Sequence, residues 1–274
     1  MNDFIHLNTK SDYSLSEGAL TIQKIADLCA DNNMPAIAVT DNNNLFGALE
    51  FSETISKAGI QPIIGAKIRI KTPNQYVIDP ENDSNNYFCI NLLSKNDRGY
   101  ENLLFLNSIS YTRHSSDNAF ITLEQLFTHK EGLILLTGGY ENIFNNLLFH
   151  NKYDWANSLL NNIKDEFNSN MYIEIQRIGD PVQIQSEKLL LKLSYQNEIP
   201  LVATNEVCFE NPDYYNAHEA LLCIDKKEYL SQANRQKFPK ETYFKSSEEM
   251  LETFIDLPEA IQNTVEIAKR CSSR

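Results

Sequence analysis

Basic side chains are scarce in this 274-residue chain. Lysine and arginine total 24, whereas aspartate and glutamate total 37, which gives a formal net charge of −13. A surface this acidic repels a phosphate backbone on average, although a local basic patch is compatible with it. The composition therefore argues against a domain that grips DNA tightly by itself.

Cysteine and long apolar runs are also lacking. The five cysteines are scattered, odd in number and never arranged as CxxC, so we expect a reducing cytoplasm rather than a disulfide framework. No stretch approaches 18 apolar residues, which predicts no membrane span. The first residues, MNDFIHLNTKSDYS, have neither the basic start nor the apolar run of a signal peptide.

What the chain does contain is an alternation of short β-branched runs and stretches with helical period. Its apolar fraction of 42% suits a folded domain. The predicted strands are Phe4–Leu7, Ala36–Thr40, Pro62–Ile70, Tyr87–Leu93, Gly132–Thr137, Met171–Gln176 and Ile199–Thr204. The predicted helices are Thr21–Asp31, Leu45–Lys57, Arg98–Ser110, Asn142–Phe149, Trp155–Phe167 and Gln183–Gln196. This order favours an α/β fold with a largely parallel sheet, either a barrel or an open wound sheet.

Local signals mark further elements. Thr122 and Ser246 each precede a Gln or Glu by three residues, as in a capping box. From residue 211 onward the chain is predicted to be mainly helical, with prolines at or near helix starts. The polar stretch Pro73–Asn86 is predicted to be an insertion or a hairpin.

Either architecture places function at the carboxyl ends of the strands. The residues there are mostly amides, small polar groups and a few charges. Only five histidines are present: His6, His114, His129, His150 and His218. His6 lies near a strand end, where a hydrogen-bonded structural histidine is a more common finding than a catalytic one.

Several segments resemble one family. The opening FIHLNTKSDYSLSEGA, the segment AIAVTDNNNLFGALEF and IQPIIGAKI are similar to motifs of the PHP (polymerase and histidinol phosphatase) domain. The run CINLLSKNDRGYENLLFLNS, the segment IPLVATNEVCF and the tail FKSSEEMLETFIDLPEAIQNTVEIAKRC resemble the version of this domain found in bacterial DNA polymerase III alpha subunits. The resemblance covers essentially the whole chain.

The resemblance implies a fold and an ancestral chemistry. It implies an α/β distorted seven-stranded (βα) barrel of the PHP type with a helical C-terminal extension, occupying residues 1–274, with a barrel core at about 1–210 and a tail at 211–271. Active members hold several metal ions at the strand ends, where a metal-bound hydroxide attacks a phosphoester. Such a site needs many His, Asp, Glu or Cys ligands.

Most of those ligands are replaced in this chain. The positions that correspond to the family's metal ligands hold Asn8, Lys10, Asp41, Asn42, Lys67, Cys89, Gly139, Glu206 and Cys208. Of these, Asp41 alone keeps the family residue, and Glu206 is a conservative change. We predict a vestigial site that binds no metal, in which Lys10 and Lys67 form salt bridges with Asp41 and Glu206.

Alternatives remain open at several of these positions. Asp41 and Glu206 could be a remnant metal pair rather than carboxylates held by lysines or amides. Cys89 and Cys208 could be zinc ligands, although a cysteine in an apolar strand is more often a small core residue. Gly138 and Gly139 could cradle a phosphate, although such a pair after a strand is usually a turn.

These observations lead to three functional hypotheses. The first is a non-catalytic scaffold domain of a replicative polymerase, whose own Mg²⁺-dependent nucleotidyl transfer would lie in palm, fingers and thumb domains outside this chain. Its partners would be the rest of the alpha chain, the proofreading exonuclease subunit and, through the parent enzyme, DNA, with no membrane contact. The second is an active metal-dependent phosphoesterase or 3′–5′ exonuclease, and the third an independent interaction module.

Overall fold

A single six-stranded sheet organises the molecule. The computed structural model describes residues 4–81, 86–112, 119–232 and 237–272. Within them the strands follow one another in the order of the sequence, and the sheet is curled into a half-barrel. The strands are β1 (Ala36–Asn42), β2 (Gln61–Lys71), β3 (Tyr87–Ser94), β4 (Leu133–Leu136), β5 (Met171–Gln176) and β6 (Leu201–Thr204).

The sheet is mixed. β1 pairs with β2, β4 with β5 and β5 with β6 in parallel. β3 runs antiparallel to both of its neighbours. The first residues of β3 therefore lie at the edge where the other strands end, which we call the mouth of the half-barrel. The predicted α/β class is confirmed.

Ten α-helices in the described residues surround or close the sheet. They are α1 (Ile22–Asp31), α2 (Ala48–Lys57), α3 (Asp97–Thr112), α4 (Leu123–Thr128), α5 (Ile143–Phe149), α6 (Tyr153–Phe167), α7 (Pro181–Gln196), α8 (Tyr215–Lys226), α9 (Ser247–Thr253) and α10 (Pro258–Arg270). The two predicted capping boxes begin α4 and α9, where Thr122 and Ser246 accept bonds from the backbone N–H groups three residues on. Those side chains satisfy donors that the first helical turn leaves free.

The predicted strand Phe4–Leu7 is not a strand in the structure, so the described residues contain six strands and not seven. The segment nevertheless lies between β1 and the chain after β6. Its carbonyl at His6 accepts from the N–H of Ala38 at 2.8 Å, and Lys10 N–H donates to the carbonyl of Val207 at 2.9 Å. The Ile5 N–H turns away and donates to the Thr264 hydroxyl of α10, which interrupts the regular ladder that a strand needs.

Both faces of the sheet are packed. The larger apolar cluster joins the outer face to the surrounding helices and includes Phe51, Leu106, Leu159 and Leu193. The inner face carries a second cluster near the start of the parallel strands, formed by Ile5, Leu7, Ala36, Ala38, Ile63, Leu93, Ile134, Leu136, Tyr172 and Val202.

Helix α10 closes this inner cluster, because its Ile267 and Ala268 and the following Cys271 belong to it. The end of the predicted helical extension is therefore part of the core. No helix in the described ranges combines the length and the apolar character needed to cross a membrane. All five cysteines have free thiols.

Candidate functional site

The mouth of the half-barrel gathers several of the sequence-predicted positions. Above the apolar inner cluster, the side chains that point into the curled sheet become polar. Lys10, Asn42, Lys67 and Glu206 are directly connected here, although they come from the N-terminal segment, β1, β2 and the chain after β6. The curling of the sheet brings these distant segments together.

Glu206 lies between two buried ammonium groups. Its Oε1 is 2.7 Å from the Nζ of Lys67 and 3.4 Å from the Nζ of Lys10, and all three side chains are at most 3% exposed. Burying a charge is costly unless it is paired, and here one carboxylate serves two cations. Its other oxygen, Oε2, has no hydrogen-bond partner among the described residues.

Glu141 supplies the second negative charge. It follows the Gly138–Gly139 turn and lies 2.5 Å from the Nζ of Lys67, with its side chain 45% exposed. The neighbouring cation Lys67 holds the pKa of the Glu141 carboxyl below its ordinary value, although burial acts in the opposite direction. Sequence analysis did not identify Glu141, because the turn that delivers it to the mouth has no charge pattern of its own.

Lys10 is held by oxygen atoms on β1. Its Nζ donates to Asn42 Oδ1 at 2.6 Å and to the Thr40 carbonyl at 3.4 Å. Asn42 in turn donates to Glu17 Oε2 at 2.5 Å. Thus Asn42 links a buried lysine to the loop after the N-terminal segment.

Asp41 does not pair with either lysine, and this part of the prediction is wrong. Its carboxylate accepts from the backbone N–H of Ser11 at 2.8 Å, from the Ser11 hydroxyl at 2.7 Å and from the Ser14 hydroxyl at 2.6 Å. The two serine hydroxyls and the Ser11 N–H occupy both oxygens of the Asp41 carboxylate. The predicted pairing of Lys10 and Lys67 with Glu206 is correct.

A second buried carboxylate, Glu174 on β5, lies one level below the mouth. It accepts hydrogen bonds from Asn8 Nδ2, Asn91 Nδ2, the Gly138 N–H, Gln176 Nε2 and the Thr204 hydroxyl, at 2.5–3.1 Å for the shortest contact with each. All these groups are uncharged. Asn8, the first of the predicted positions, is therefore a donor to this carboxylate.

Glu174 was missed by sequence analysis, yet the sequence carries a signal for it. It is a single charged residue in Met171–Gln176, a run whose six residues are all buried. A charge in such a strand requires dedicated partners. One of its donors, Gln176, lies on β5 itself. The others belong to four other segments, which no local pattern links to β5.

The glycine turn at the mouth packs against protein atoms. Gly138 and Gly139 have φ values of +98° and +58°, the left-handed region that favours glycine. A Cβ atom at Gly139 would lie 2.5 Å from Gln176 Nε2, and one at Gly138 would lie 1.9 Å from the Cys89 carbonyl oxygen. This close packing supports the interpretation of the pair as a turn rather than as a phosphate cradle.

The two cysteines near the mouth have protonated thiols. Burial, followed by the nearby Glu141, raises the pKa of the Cys89 thiol to about 12. Burial likewise raises the pKa of the Cys208 thiol well above its ordinary value, with the nearby Glu206 adding to the effect. Since a thiolate is the form that binds zinc, both environments oppose metal ligation.

His6 is tied to the protein interior. Its Nε2 lies 2.8 Å from the Lys245 carbonyl oxygen, and its ring packs between Phe4 and Phe244. Burial lowers the pKa of the His6 imidazole to about 4. These contacts fit a structural histidine. His114, another of the five histidines counted in the sequence, lies outside the described residues.

The residues at the mouth do not fit a cluster of metal ions. In the part of the chain that the structure describes, no three His, Cys, Asp or Glu side chains are grouped so that they could hold one. Two ammonium groups lie at positions for which the resemblance implied metal ligands, and like charges repel strongly in a buried site. No catalytic step through a metal can therefore be derived from this donor set.

Comparison with known proteins identifies one family. The model of the PHP domain matches residues 6–178. Across 98% of its length, the chain is 40% identical to the DNA polymerase III subunit alpha of Caulobacter vibrioides and 39% identical to that of Rickettsia bellii. It spans only 23% and 22% of those two relatives.

Likeness to solved structures is weaker. A two-domain protein from Bacteroides vulgatus, described as containing a predicted PHP-like metal-dependent phosphoesterase, aligns with a TM-score of 0.44 at 12% identity, over 97% of this chain and 68% of that one. The assignment therefore rests on the sequence matches, which confirm the resemblance to the alpha-subunit version of the domain. The chain belongs to the PHP domain family.

Proposed function

We propose that this chain is the N-terminal PHP domain of a DNA polymerase III alpha subunit and that it works by structure and contact rather than by hydrolysis. The observation that carries this proposal is the position of Glu206 between the buried ammonium groups of Lys10 and Lys67. The two lysines take over the charge of the metal ions that active family members hold. They do so with internal ion pairs.

An ammonium group can replace a cation's charge but not its chemistry. A metal ion binds a water molecule, lowers its pKa and orients it toward a phosphorus atom. Lys67 is bonded to Glu206 and Glu141, and Lys10 is bonded to Asn42. Neither lysine offers a coordination position for a water molecule. Loss of phosphoesterase activity follows from this difference.

The parent enzyme's roles extend the proposal beyond this chain. The relatives are polymerase subunits several times longer, so nucleotidyl transfer, with Mg²⁺ in the palm domain, would belong to segments outside residues 1–274. The domain would pack against the rest of the alpha chain in the bacterial cytoplasm and would meet DNA through the parent enzyme, with no membrane contact. We propose the proofreading exonuclease subunit as a further partner.

Metal content and activity test the loss of hydrolysis. The purified chain, dialysed against Mn²⁺ or Zn²⁺, is expected to retain substoichiometric metal and to hydrolyse neither a 3′ primer end nor a phosphate monoester. A variant with family-type ligands at Asn8→His, Lys10→His and Lys67→Glu serves as the comparison for metal uptake. Stoichiometric metal in the unaltered chain would overturn the proposal.

The same assay distinguishes the second hypothesis, an active exonuclease. Hydrolysis that disappears both with a chelator and in Glu206→Gln would assign the activity to the mouth. Hydrolysis that survives Glu206→Gln would indicate a contaminating enzyme.

Partner binding needs its own test. Pull-down of the purified exonuclease subunit by the full alpha chain, and its loss when residues 1–274 are deleted, is the expected result. Retention after the deletion would place the exonuclease contact elsewhere, without affecting the conclusion on hydrolysis.

A further inference from the structure

Two segments form one side of the mouth and are firmly joined to each other. They are the loop of residues 11–18 and residues 43–50, which comprise a turn and the first residues of α2. The Tyr13 hydroxyl donates to Glu50 Oε2 at 2.9 Å, and Asn44 Nδ2 donates to the Tyr13 carbonyl at 3.1 Å. The Tyr13 ring lies so close to Gly47 that a Cβ atom there would be 2.6 Å from it. The two segments therefore present a common surface.

That surface exposes three large apolar side chains. Leu15 is 80% exposed, and Phe46 and Leu49 are each 72% exposed. Phe46 lies in the turn that leads into α2, and Leu49 lies in the first turn of that helix, so both belong to the segment that Tyr13 contacts. Leu15 follows Tyr13, whose ring and carbonyl contact the second segment, by two residues. We call Leu15, Phe46 and Leu49 the rim surface.

The loop that carries Leu15 is held in place from below. The N–H groups of Glu17 and Gly18 donate to the Ser14 carbonyl, which closes a tight turn with Leu15 at its outer corner. The Ser14 hydroxyl is bonded to Asp41. Ser16 has a φ of +66°, an unfavourable conformation for a residue with a side chain. Strain of this kind is retained where the surrounding structure fixes a functional loop.

Two carboxylates accompany the rim surface. Asp12 and Glu50 lie on the same two segments, and within the described residues no ion pair neutralises either one. Burial and then the nearby Glu50 and Asp41 raise the pKa of the Asp12 carboxyl above its ordinary value. Carboxylates therefore crowd together beside exposed apolar side chains, and the complementary ligand is both apolar and cationic.

We propose that the rim surface binds a basic amphipathic helix of a partner polypeptide. Exposed apolar residues that are edged by carboxylates match a helix with leucine-like residues on one side and lysine or arginine beside them. The serines and Asp41 preorganise the loop, which lowers the entropic cost of binding. The inference rests on the interaction role proposed above and specifies its surface and partner chemistry.

Asp41 has a structural role in this arrangement. In the family pattern it is a metal ligand, whereas here its oxygens hold Ser11 and Ser14. It fixes the backbone that carries Leu15. DNA and anionic lipid are disfavoured as occupants, because their phosphates would face Asp12 and Glu50.

A model peptide tests the proposal directly. The probe is a labelled helical peptide of about 18 residues, five turns, with leucines on one face and lysines on the others, and a matched peptide with glutamates in place of the lysines. Fluorescence anisotropy is expected to show that the lysine peptide binds and the glutamate peptide does not. The triple variant Leu15→Ser/Phe46→Ser/Leu49→Ser should bind about tenfold or more weakly.

A matched control removes exposed apolar side chains elsewhere. Ile184→Ser/Ile255→Ser alters two residues that are 68% and 80% exposed and should leave binding unchanged. Equal loss in both variants, or equal binding of both peptides, would overturn the inference. Circular dichroism of each variant verifies folding.

Two further arms separate this inference from the proposed function. Binding of labelled DNA or of phosphatidylserine vesicles that is lost in the triple variant, or a dimer that dissociates in it, would assign the rim surface to another occupant. Metal uptake by the unaltered chain would instead overturn the proposed loss of hydrolysis. Because that assay does not involve the rim surface, the two failures are distinguishable.

Discussion

Two buried carboxylates, one above the other inside the curled sheet, are stabilised in opposite ways. Glu174 is surrounded by uncharged donors, which are amides, a hydroxyl and a backbone N–H. Glu206 is stabilised by two lysines and leaves one oxygen without a hydrogen bond among the described residues. At the lower level, uncharged donors solvate the Glu174 carboxylate. At the upper level, two ammonium groups neutralise the Glu206 carboxylate.

The difference bears on the proposed loss of a metal site. The lower level consists of neutral donors that converge on the Glu174 carboxylate. The upper level is held by charge balance, which either metal ions or ammonium groups can provide. In the proposed loss of metal ligands, Lys10 and Lys67 would change the chemistry of the upper level, whereas the lower level would gain Asn8 as a donor to Glu174.

The largest expected effect comes from removing the lower charge. Glu174→Gln puts amide hydrogens against groups that are themselves donors, and we expect it to lower the free energy of unfolding by about 5 kcal/mol. Urea denaturation measures the change. Glu266→Gln, which removes an exposed pair with Lys269, should cost about 0.5 kcal/mol or less. Similar costs for the two variants would remove the distinction between the levels.

The upper level should show compensation. Lys67→Met leaves Glu206 and Glu141 without their shared cation, and we expect a loss of about 4 kcal/mol. Combining it with Glu206→Gln should cost less than the sum of the two single losses by about 1–3 kcal/mol, because the second change removes the stranded charge. Strict additivity in urea denaturation would show that the ion pair is not the stabilising unit.

The third prediction concerns the pH dependence of stability that the buried His6 imidazole causes. Its pKa is about 4 in the folded protein, against an ordinary 6.5, so the unfolded chain binds more protons between these values. Stability should therefore fall as the pH falls from about 6.5 to about 4, by up to about 3 kcal/mol, and should be unaffected by His6 above and below that window.

His6→Gln should flatten this dependence relative to the unaltered chain, whereas His150→Gln, at an exposed helix end, should not. The Glu174 and Glu206 variants should retain the slope, because His6 titrates independently of either level. A slope that His6→Gln leaves unchanged would assign the acid sensitivity to another group.

The smallest effect is expected at the anchor of the rim loop. Ser14→Ala removes the hydroxyl that donates to Asp41 and should cost about 1 kcal/mol. Ser108→Ala is the control, since that exposed hydroxyl bonds only the preceding turn of α3. If Ser14→Ala were as mild as the control, the Asp41 anchor would not hold the loop.

Local patterns predicted the elements better than they predicted their contacts. Helical period and capping signals located α4 and α9 because the stabilising groups lie within three residues of each other. The strand predicted at Phe4–Leu7 was wrong because its apolar side chains face the core as a strand's would, while Ile5 N–H bonds α10. Side-chain pattern alone does not report where a backbone donor goes.

At the site, the sequence predicted the charges but not the contacts between the side chains. The lysines at positions 10 and 67 predicted a neutralised mouth, and Glu206 is their shared partner. Asp41 was assigned the wrong partners, since Ser11 and Ser14 resemble ordinary loop residues in sequence. The position of Glu141 at the mouth depends on the turn between β4 and α5. No periodic sequence pattern predicts the direction of that turn.

The N-terminal segment has a consequence for biosynthesis. His6 contacts the carbonyl of Lys245, 239 positions later in the chain, and Asn8 contacts the carboxylate of Glu174, 166 positions later. A ribosome that adds 5–20 residues per second needs roughly ten to fifty seconds to cover the first of these separations. For most of that interval the growing chain contains Lys10 but not yet Glu206, its later ion-pair partner. The half-barrel closes only when its last contributing residues have been made.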